Sequence, residues 1–291
     1  REKDAPTAKG DSGAIRVWDL ARGRALTPLT GHTGPVTGLV VSADGKAALS
    51  SSADETVALW DLAQGRRASQ SPKQPLRVLA AAVSPDAKRG LVAYPGLLVK
   101  TDLEKFQAAG QPIKSAQLPG LETPESVLAV AVSGDRKGLV GGLDGKLFVI
   151  DMTDKAKPKA LSGLKEAVRT AAFSAVPAVA ATGSGGVLRV GKVQPGRENA
   201  VCVWDTVTGL LKWRADEHTN PVVCVAFSAD GRLLASGDER GEVRVWAVSD
   251  GRPLGTFGGH AGRVFALAFS PDGKALLSGS ADKSVRTWRL P

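Results

Sequence analysis

The chain has 291 residues, of which 43% are hydrophobic and 23% charged, and its formal net charge is +9. This composition is typical of a folded protein and excludes wholesale disorder. No apolar run approaches the roughly 18 residues that a transmembrane helix needs, so we expect no membrane span.

The first predicted element is an alternating strand that ends at Trp18, and we interpret it as the third strand of an incomplete repeat. The first complete repeat follows, with 27 residues between His32 and Trp60. It contains an apolar run, a Ser-x-Asp-Gly turn at residues 42–45, a second apolar stretch and an alternating strand. An Asp-Gly pair between two apolar runs predicts a hairpin, because glycine accepts the positive φ that a tight turn requires.

The middle of the chain carries weaker copies of the same pattern. The position that Trp60 holds in the first complete repeat is filled here by Thr101, Ile150 and Trp204. Two long intervals indicate insertions, one near residues 105–125 and the other near residues 185–199.

The C-terminal part repeats the N-terminal pattern in the same register. Again 27 residues separate His218 from Trp246 and His260 from Trp288. The position of the tryptophan thus occurs seven times, which predicts seven repeat units with the first incomplete.

The strand types indicate an all-β fold in which sheets stand side by side around an axis. The first strand of each strong copy, for example residues 222–227, is apolar at every position and must be buried on both faces. We therefore predict one domain over residues 1–291, a β-propeller of four-stranded antiparallel blades whose N-terminal blade is truncated. Either the parent protein has seven blades, or six blades close by pairing Ala25–Leu29 with the last strand. The start of the chain looks partial and shows no signal peptide, which favours a cytoplasmic location.

These repeats resemble those of the WD-repeat family. The resemblance rests on Gly-His pairs at residues 31–32 and 259–260 and on Trp-Asp pairs at residues 18–19, 60–61 and 204–205. Ser-Pro-Asp-Gly-Lys, at residues 270–274, is similar to the turns of bacterial members. In that family a buried tetrad joins His, Ser or Thr, Asp and Trp. The resemblance implies two such tetrads, which are His32, Ser50, Asp54, Trp60 and His260, Ser278, Asp282, Trp288.

Several repeats depart from the family pattern. Arg240 stands where the tetrad of His218 needs an acid, so that tetrad is either broken or uses Asp238 or Glu239. The repeats around Thr101 and Ile150 lack both His and Trp, and Leu164 stands near the histidine position of the next repeat. We expect these middle blades to be less rigid and held by packing alone.

The residues offer little for catalysis or for metal binding. All three histidines are assigned to the repeat position, and neither a nucleophile elbow nor a phosphate loop is present. Cys202 and Cys224 lie in apolar runs, which indicates buried free thiols. We therefore expect a non-catalytic protein without a cofactor or a metal.

The resemblance places side chains three and five residues beyond the repeat histidine at the rim of the central channel. In the repeat of His260 those positions are Arg263 and Phe265, and alignment of the degenerate repeats on their apolar runs adds Arg77 and Arg169. Arginine with an aromatic side chain is typical of interface anchors, and guanidinium groups bind carboxylates, so we expect a scaffold that captures acidic peptide segments of other proteins. The alternative to peptide capture is that the arginines pair with acids of the chain such as Glu239.

The alternative function is salt-dependent binding of nucleic acid or another anionic surface, through the net charge and a basic stretch at residues 154–169.

Overall fold

The structure is a computed structural model, and all regular elements among the residues it describes are β-strands. It describes residues 13–19, 22–42, 45–73, 78–103, 107–108, 113–114, 118, 127–153, 155–189, 192–194 and 198–290. In this part of the chain we find no helix long and apolar enough to cross a membrane.

The N-terminal residues form a small sheet of their own. It pairs β1 (Trp18–Asp19) with β2 (Arg24–Ala25), and a bridge between Ile15 and Leu29 extends it.

Three antiparallel blades follow, and in each the first four strands pair in sequence order. Blade 1 comprises β3 (Val36–Val41), β4 (Ala47–Ser52), β5 (Val57–Asp61) and β6 (Arg66–Gln70). Blade 2 comprises β7 (Ala80–Val83), β8 (Arg89–Tyr94), β9 (Leu97–Asp102), and the short β10 (Gln107–Ala108) and β11 (Ile113–Lys114), which both pair with β9. Blade 3 comprises β12 (Val127–Val132), β13 (Lys137–Gly142), β14 (Leu147–Asp151) and β15 (Lys159–Leu161).

Three further blades complete the architecture. Blade 4 comprises β16 (Val168–Phe173), β17 (Val179–Ser184), β20 (Val201–Asp205) and β21 (Leu211–Ala215). In sequence, a separate hairpin lies between its second and third strands, formed by β18 (Val187–Arg189) and β19 (Lys192–Gln194). Blade 5 comprises β22 (Val222–Phe227), β23 (Leu233–Asp238), β24 (Val243–Ala247) and β25 (Pro253–Phe257). Blade 6 comprises β26 (Val264–Phe269), β27 (Ala275–Ser280) and β28 (Val285–Arg289).

The prediction of an all-β propeller is confirmed, and the structure has the six blades of the alternative interpretation. The pairing that we expected to close six blades was wrong for the described residues. Leu29 bonds to Ile15 through the backbone, and β2 pairs with β1 and not with blade 6. The reason is apolar burial, since Ile15 and Leu29 lie in one cluster with Trp60 of blade 1.

The core is divided among the gaps between blades. Each pair of consecutive blades from 1 to 6 encloses one apolar cluster. The first strands of consecutive blades contact one another, so these strands lie innermost. Blades approach closely where a glycine of the second strand faces a valine of the next blade. A Cβ added at Gly183 would lie 2.5 Å from Val222, which explains why no side chain is present there.

Candidate functional site

One predicted rim residue, Arg169, lies on the inner strand β16 of blade 4. Its side chain is only 13% exposed, and its Nη2 donates to Oε1 of Glu239 at 2.8 Å. Its Nη1 is buried and has no hydrogen-bond acceptor among the described residues. Burial lowers the pKa of Arg169, Glu239 opposes that effect, and the positive charge of Arg263 lowers the pKa further. The guanidinium of Arg169 is therefore buried beside a like charge, with one acid to balance it.

A second predicted pair lies where blade 6 begins. Arg263 is exposed, and its guanidinium carbon lies 5.5 Å from the ring centroid of Phe265. A cation over an aromatic face is an attractive contact. Phe265 is itself 61% exposed, although it belongs to an inner strand. Arg263 thus lies beside Phe265 and affects the pKa of Arg169. We call these three residues the rim cluster after their predicted position; Arg77 lies outside the described residues.

The histidine pocket of blade 1 is a fully bonded chain of polar groups. Nε1 of Trp60 donates to Oγ of Ser50 at 2.7 Å, and the same oxygen lies 2.7 Å from Nε2 of His32. Nδ1 of His32 lies 2.9 Å from Oδ2 of Asp54. Because the carboxylate only accepts, Nδ1 carries the proton, and the Ser50 hydroxyl donates to Nε2.

The pocket of blade 6 repeats this arrangement in the same register. Nε1 of Trp288 donates to Ser278 at 2.8 Å, Ser278 lies 2.7 Å from Nε2 of His260, and Nδ1 lies 2.8 Å from Asp282. Such pockets join the loop before an inner strand to the turn after the second strand of the same blade. Their hydrogen bonds are internal, so these residues stabilise the blade and leave no group for a ligand.

In the pocket of blade 5, Arg240 stands at the position of the usual aspartate, and other acidic side chains contact the histidine. Nδ1 of His218 lies 3.4 Å from Asp238 and also 3.4 Å from Glu242. Of the two acids that we considered, Asp238 takes the contact, while Glu239 pairs with Arg169. Sequence reasoning missed Glu242, although its position relative to Trp246 is that of Thr56 relative to Trp60.

Blade 4 has a tryptophan but no histidine, and it keeps part of the network. Nε1 of Trp204 donates to Oγ1 of Thr182 at 2.9 Å. In the preceding loop, the buried carboxylate of Glu166 accepts the backbone N–H of Gly186 at 3.0 Å and that of Glu198 at 3.1 Å. This blade is therefore not held by packing alone.

Two lysines of the basic stretch before β16 make contacts on the surface of the chain. Nζ of Lys159 donates to the carbonyl oxygens of Val207 and Thr208, both at 2.7 Å. Nζ of Lys165 lies 3.8 Å from Glu198. Both lysines remain exposed and keep their charge, so the stretch still presents positive charge to solvent.

The two cysteines are free and buried. Burial raises the pKa of Cys202 and of Cys224 to about 12, so both remain neutral thiols at physiological pH.

Comparison with known proteins identifies the repeats. The family described as WD domain, G-beta repeat matches residues 23–61, 211–247 and 251–289. The chain therefore carries WD repeats at three places. Each matched segment starts with the outer strand of one sheet and ends with the third strand of the next, so the repeat is offset from the blade. Propellers of this family are generally non-catalytic interaction scaffolds.

Three relatives show how far the likeness extends. Apoptotic protease-activating factor 1 of Rattus norvegicus is 60% identical over 37 residues, which is 13% of this chain and 3% of that protein. NACHT domain- and WD repeat-containing protein 1 of Mus musculus is 24% identical over 256 residues, 84% of this chain and 15% of that protein. WD repeat-containing protein SL1-17 of Schistosoma mansoni is 44% identical over 52 residues, 18% of this chain and 17% of that protein. The chain thus spans under a fifth of these relatives, and since all three are eukaryotic they give the resemblance to bacterial members no support.

Proposed function

We propose that this WD-repeat protein is an interaction scaffold that holds an acidic peptide segment at the rim cluster of Arg169, Arg263 and Phe265. The observation that carries the proposal is the buried Nη1 of Arg169, which has no acceptor among the described residues. A buried donor without an acceptor costs about 1–3 kcal/mol, and more when it is charged. A peptide carboxylate that reached this nitrogen would remove that cost.

The charges of the group favour the same class of ligand. Glu239 neutralises one of the two arginines, so Arg169, Arg263 and Glu239 together carry one net positive charge. Arg263 is exposed and bonds to no acid among the described residues. It is free to form the two parallel hydrogen bonds that a guanidinium makes with a carboxylate. Phe265 offers an exposed ring beside it for an apolar side chain of the same peptide.

Binding of nucleic acid is the competing function, and the two differ in their response to salt. Neutralising several phosphates gives an affinity that falls steeply with salt concentration, whereas contact with one or two carboxylates and an apolar ring gives a shallow dependence. Lys159 and Lys165 both remain exposed, so the salt dependence has to separate the two functions.

A fluorescent peptide of alternating Asp, Glu and Leu residues tests the proposal by anisotropy, with the Asn/Gln form of the same peptide as a reference. We expect Arg263→Gln to weaken binding of the acidic peptide by about tenfold to a hundredfold, since a hydrogen bond to a charged group is worth about 1.5–3 kcal/mol. Arg252→Gln is the matched control, because Arg252 is exposed on the loop between β24 and β25 and should leave binding unchanged.

The double variant Arg169→Gln with Glu239→Gln removes the buried pair together, so neither charge is left alone. It should also weaken peptide binding. If both variants fold and bind the peptide as the wild type does, the rim cluster is not the binding site. If the wild type binds single-stranded DNA with steep salt dependence and ignores the peptide, the anionic-surface function is the correct one.

A further inference from the structure

The pocket of His218 in blade 5 differs in charge from the other two histidine pockets. In blades 1 and 6, a hydroxyl group lies near Nδ1 of the histidine, Thr56 at 3.1 Å and Ser284 at 3.2 Å. In blade 5 that position is occupied by Glu242, and Asp238 replaces the hydroxyl of Ser52 or Ser280. One imidazole nitrogen therefore faces two carboxylates where its counterparts face one.

The distances in this pocket also differ. In blades 1 and 6, the histidine Nδ1 lies 2.9 and 2.8 Å from its aspartate, which is normal for a hydrogen bond. In blade 5, both carboxylate oxygens lie 3.4 Å from Nδ1 of His218, which is long for a hydrogen bond. Oδ1 of Asp238 accepts backbone N–H groups of Arg240 and Glu242, but Oδ2 has only this long contact among the described residues.

We propose that His218, Asp238 and Glu242 form a site for a divalent transition metal, with zinc as the best fit. The three candidate ligand atoms, Nδ1, Oδ2 and Oε1, all lie within 4.8 Å of one another. Zinc binds histidine nitrogen and carboxylate oxygen at about 2.0–2.2 Å in a tetrahedral arrangement. Ligand atoms at about 2.1 Å from one zinc ion are roughly 3.4 Å apart. That separation matches both contacts of Nδ1.

The surroundings of the three ligands suit an ion. Ser236 lies 2.7 Å from Nε2 of His218, so its oxygen can accept the proton that moves to Nε2 when Nδ1 binds a metal. The backbone N–H groups on Oδ1 of Asp238 orient its carboxylate and leave Oδ2 for the ion. Asp238 is fully buried, whereas the side chain of Glu242 is 29% exposed and provides the route from solvent.

Arg244 competes with a metal for one ligand. Its Nε lies 2.5 Å from Oε1 of Glu242, and its guanidinium carbon is 6.0 Å from the ring centroid of Trp246. The guanidinium reduces the negative charge that the pocket offers to a cation. Zinc would therefore use Glu242 in competition with Arg244, and removal of that arginine should strengthen zinc binding.

The site would connect the loop before β22 to the turn between β23 and β24. His218 lies in the loop, Asp238 ends β23, and Glu242 precedes β24. A metal at this point would link the same two segments that a hydrogen bond links in blades 1 and 6. Its role would be structural, and zinc should raise the melting temperature of the protein.

Isothermal titration of the metal-free chain with zinc chloride tests the proposal. The key variant is Asp238→Ser with Arg240→Asp and Glu242→Thr, which gives blade 5 the same pocket residues as blade 1. We expect the wild type to bind one zinc ion more than this variant, and the variant should fold because its pocket repeats one already present in the chain. Arg244→Gln should bind zinc about three to ten times more tightly than the wild type.

Nitrogen NMR of ¹⁵N-histidine-labelled protein identifies the ligand atom. With zinc, the Nδ1 signal of His218 should move, while those of His32 and His260, which serve as internal controls, should not. Equal zinc uptake by the wild type and the triple variant would overturn the proposal. So would a His218 ring that carries protons on both nitrogens and ignores zinc, since the pocket would then hold an imidazolium ion between two carboxylates. An Arg244→Gln variant that binds zinc no more tightly would exclude Glu242 as a ligand.

Discussion

Replacement of Trp60 by alanine should destabilise the protein by about 4 kcal/mol. The side chain is fully buried in the cluster that joins blade 1 to Ile15 and Leu29. Truncation of a buried Phe or Trp to Ala costs about 3–5 kcal/mol, because apolar contacts are lost and a cavity remains. The hydrogen bond from Nε1 to Ser50 also disappears, but Ser50 keeps its partner His32, so no buried group is left without a partner. The expected loss is therefore near the middle of that range.

Guanidinium denaturation measures this loss through the shift of the midpoint and the slope. Val285→Ala is the matched control, because Val285 lies on a strand of blade 6 but is 70% exposed, and it should change the free energy of unfolding by less than about 0.5 kcal/mol. Since folded domains are stable by only about 5–15 kcal/mol, the Trp60 variant should be partly unfolded well below the wild-type midpoint. A loss of under about 1 kcal/mol would refute the assignment of Trp60 to the core between the N-terminal sheet and blade 1.

Two further predictions concern acid sensitivity and a turn. Burial alone would raise the pKa of Asp54, but hydrogen bonds from Thr56, Thr33 and His32 outweigh it and lower that pKa. The stability from these bonds is present above the ordinary aspartate pKa of about 3.9 and is lost as the pH falls towards the folded value, so the urea midpoint should fall between pH 5 and pH 2.5, and it should fall less in Asp54→Asn. Gly241 has a φ of +97°, and a Cβ there would lie 2.4 Å from the carbonyl oxygen of His260. Gly241→Ala should therefore destabilise the protein in thermal melts by more than Gly273→Ala, where φ is +69° and no atom lies within 4 Å of the added carbon; equal losses would contradict the close contact between blades 5 and 6.

The fold could be predicted from the sequence because the chain repeats itself. The interval between His and Trp, the Asp-Gly turns and the fully apolar first strands each point to one blade, and together they give its strand order. What the repeats could not predict is the fate of the N-terminal segment. Ala25–Leu29 has the composition of an outer strand, and only the burial of Leu29 against Trp60 places it beside blade 1. That contact lies between repeats, so no pattern within one repeat contains it.

For the candidate site, too, the sequence predicts positions within one repeat but not contacts between distant parts of the chain. Arg169 and Arg263 could be found by position within the repeat, but the pairing of Arg169 with Glu239 joins β16 to the turn after β23. From the sequence, Glu239 could either serve as the acid of the His218 pocket or pair with an arginine. Only the distances between these side chains in the structure distinguish the two roles. The exposure of Phe265 was equally hidden, because an apolar residue on an inner strand is normally buried.

The three histidine pockets can be compared with one another, and the pockets of blades 1 and 6 serve as controls for that of blade 5. Blades 1 and 6 show that one carboxylate and one hydroxyl are sufficient to hold the histidine. The second carboxylate of the blade 5 pocket is therefore not needed for the fold, and it brings an additional negative charge beside a fully buried one. A buried charge is costly unless a cation lies near it. Arg244 meets that need at Glu242, but it has no contact with Asp238 among the described residues. Backbone N–H groups stabilise Oδ1 of Asp238, and in that part of the chain its Oδ2 faces only Nδ1 of His218. Only a proton or a metal ion fits between atoms 3.4 Å apart, and the triple variant described above distinguishes the two.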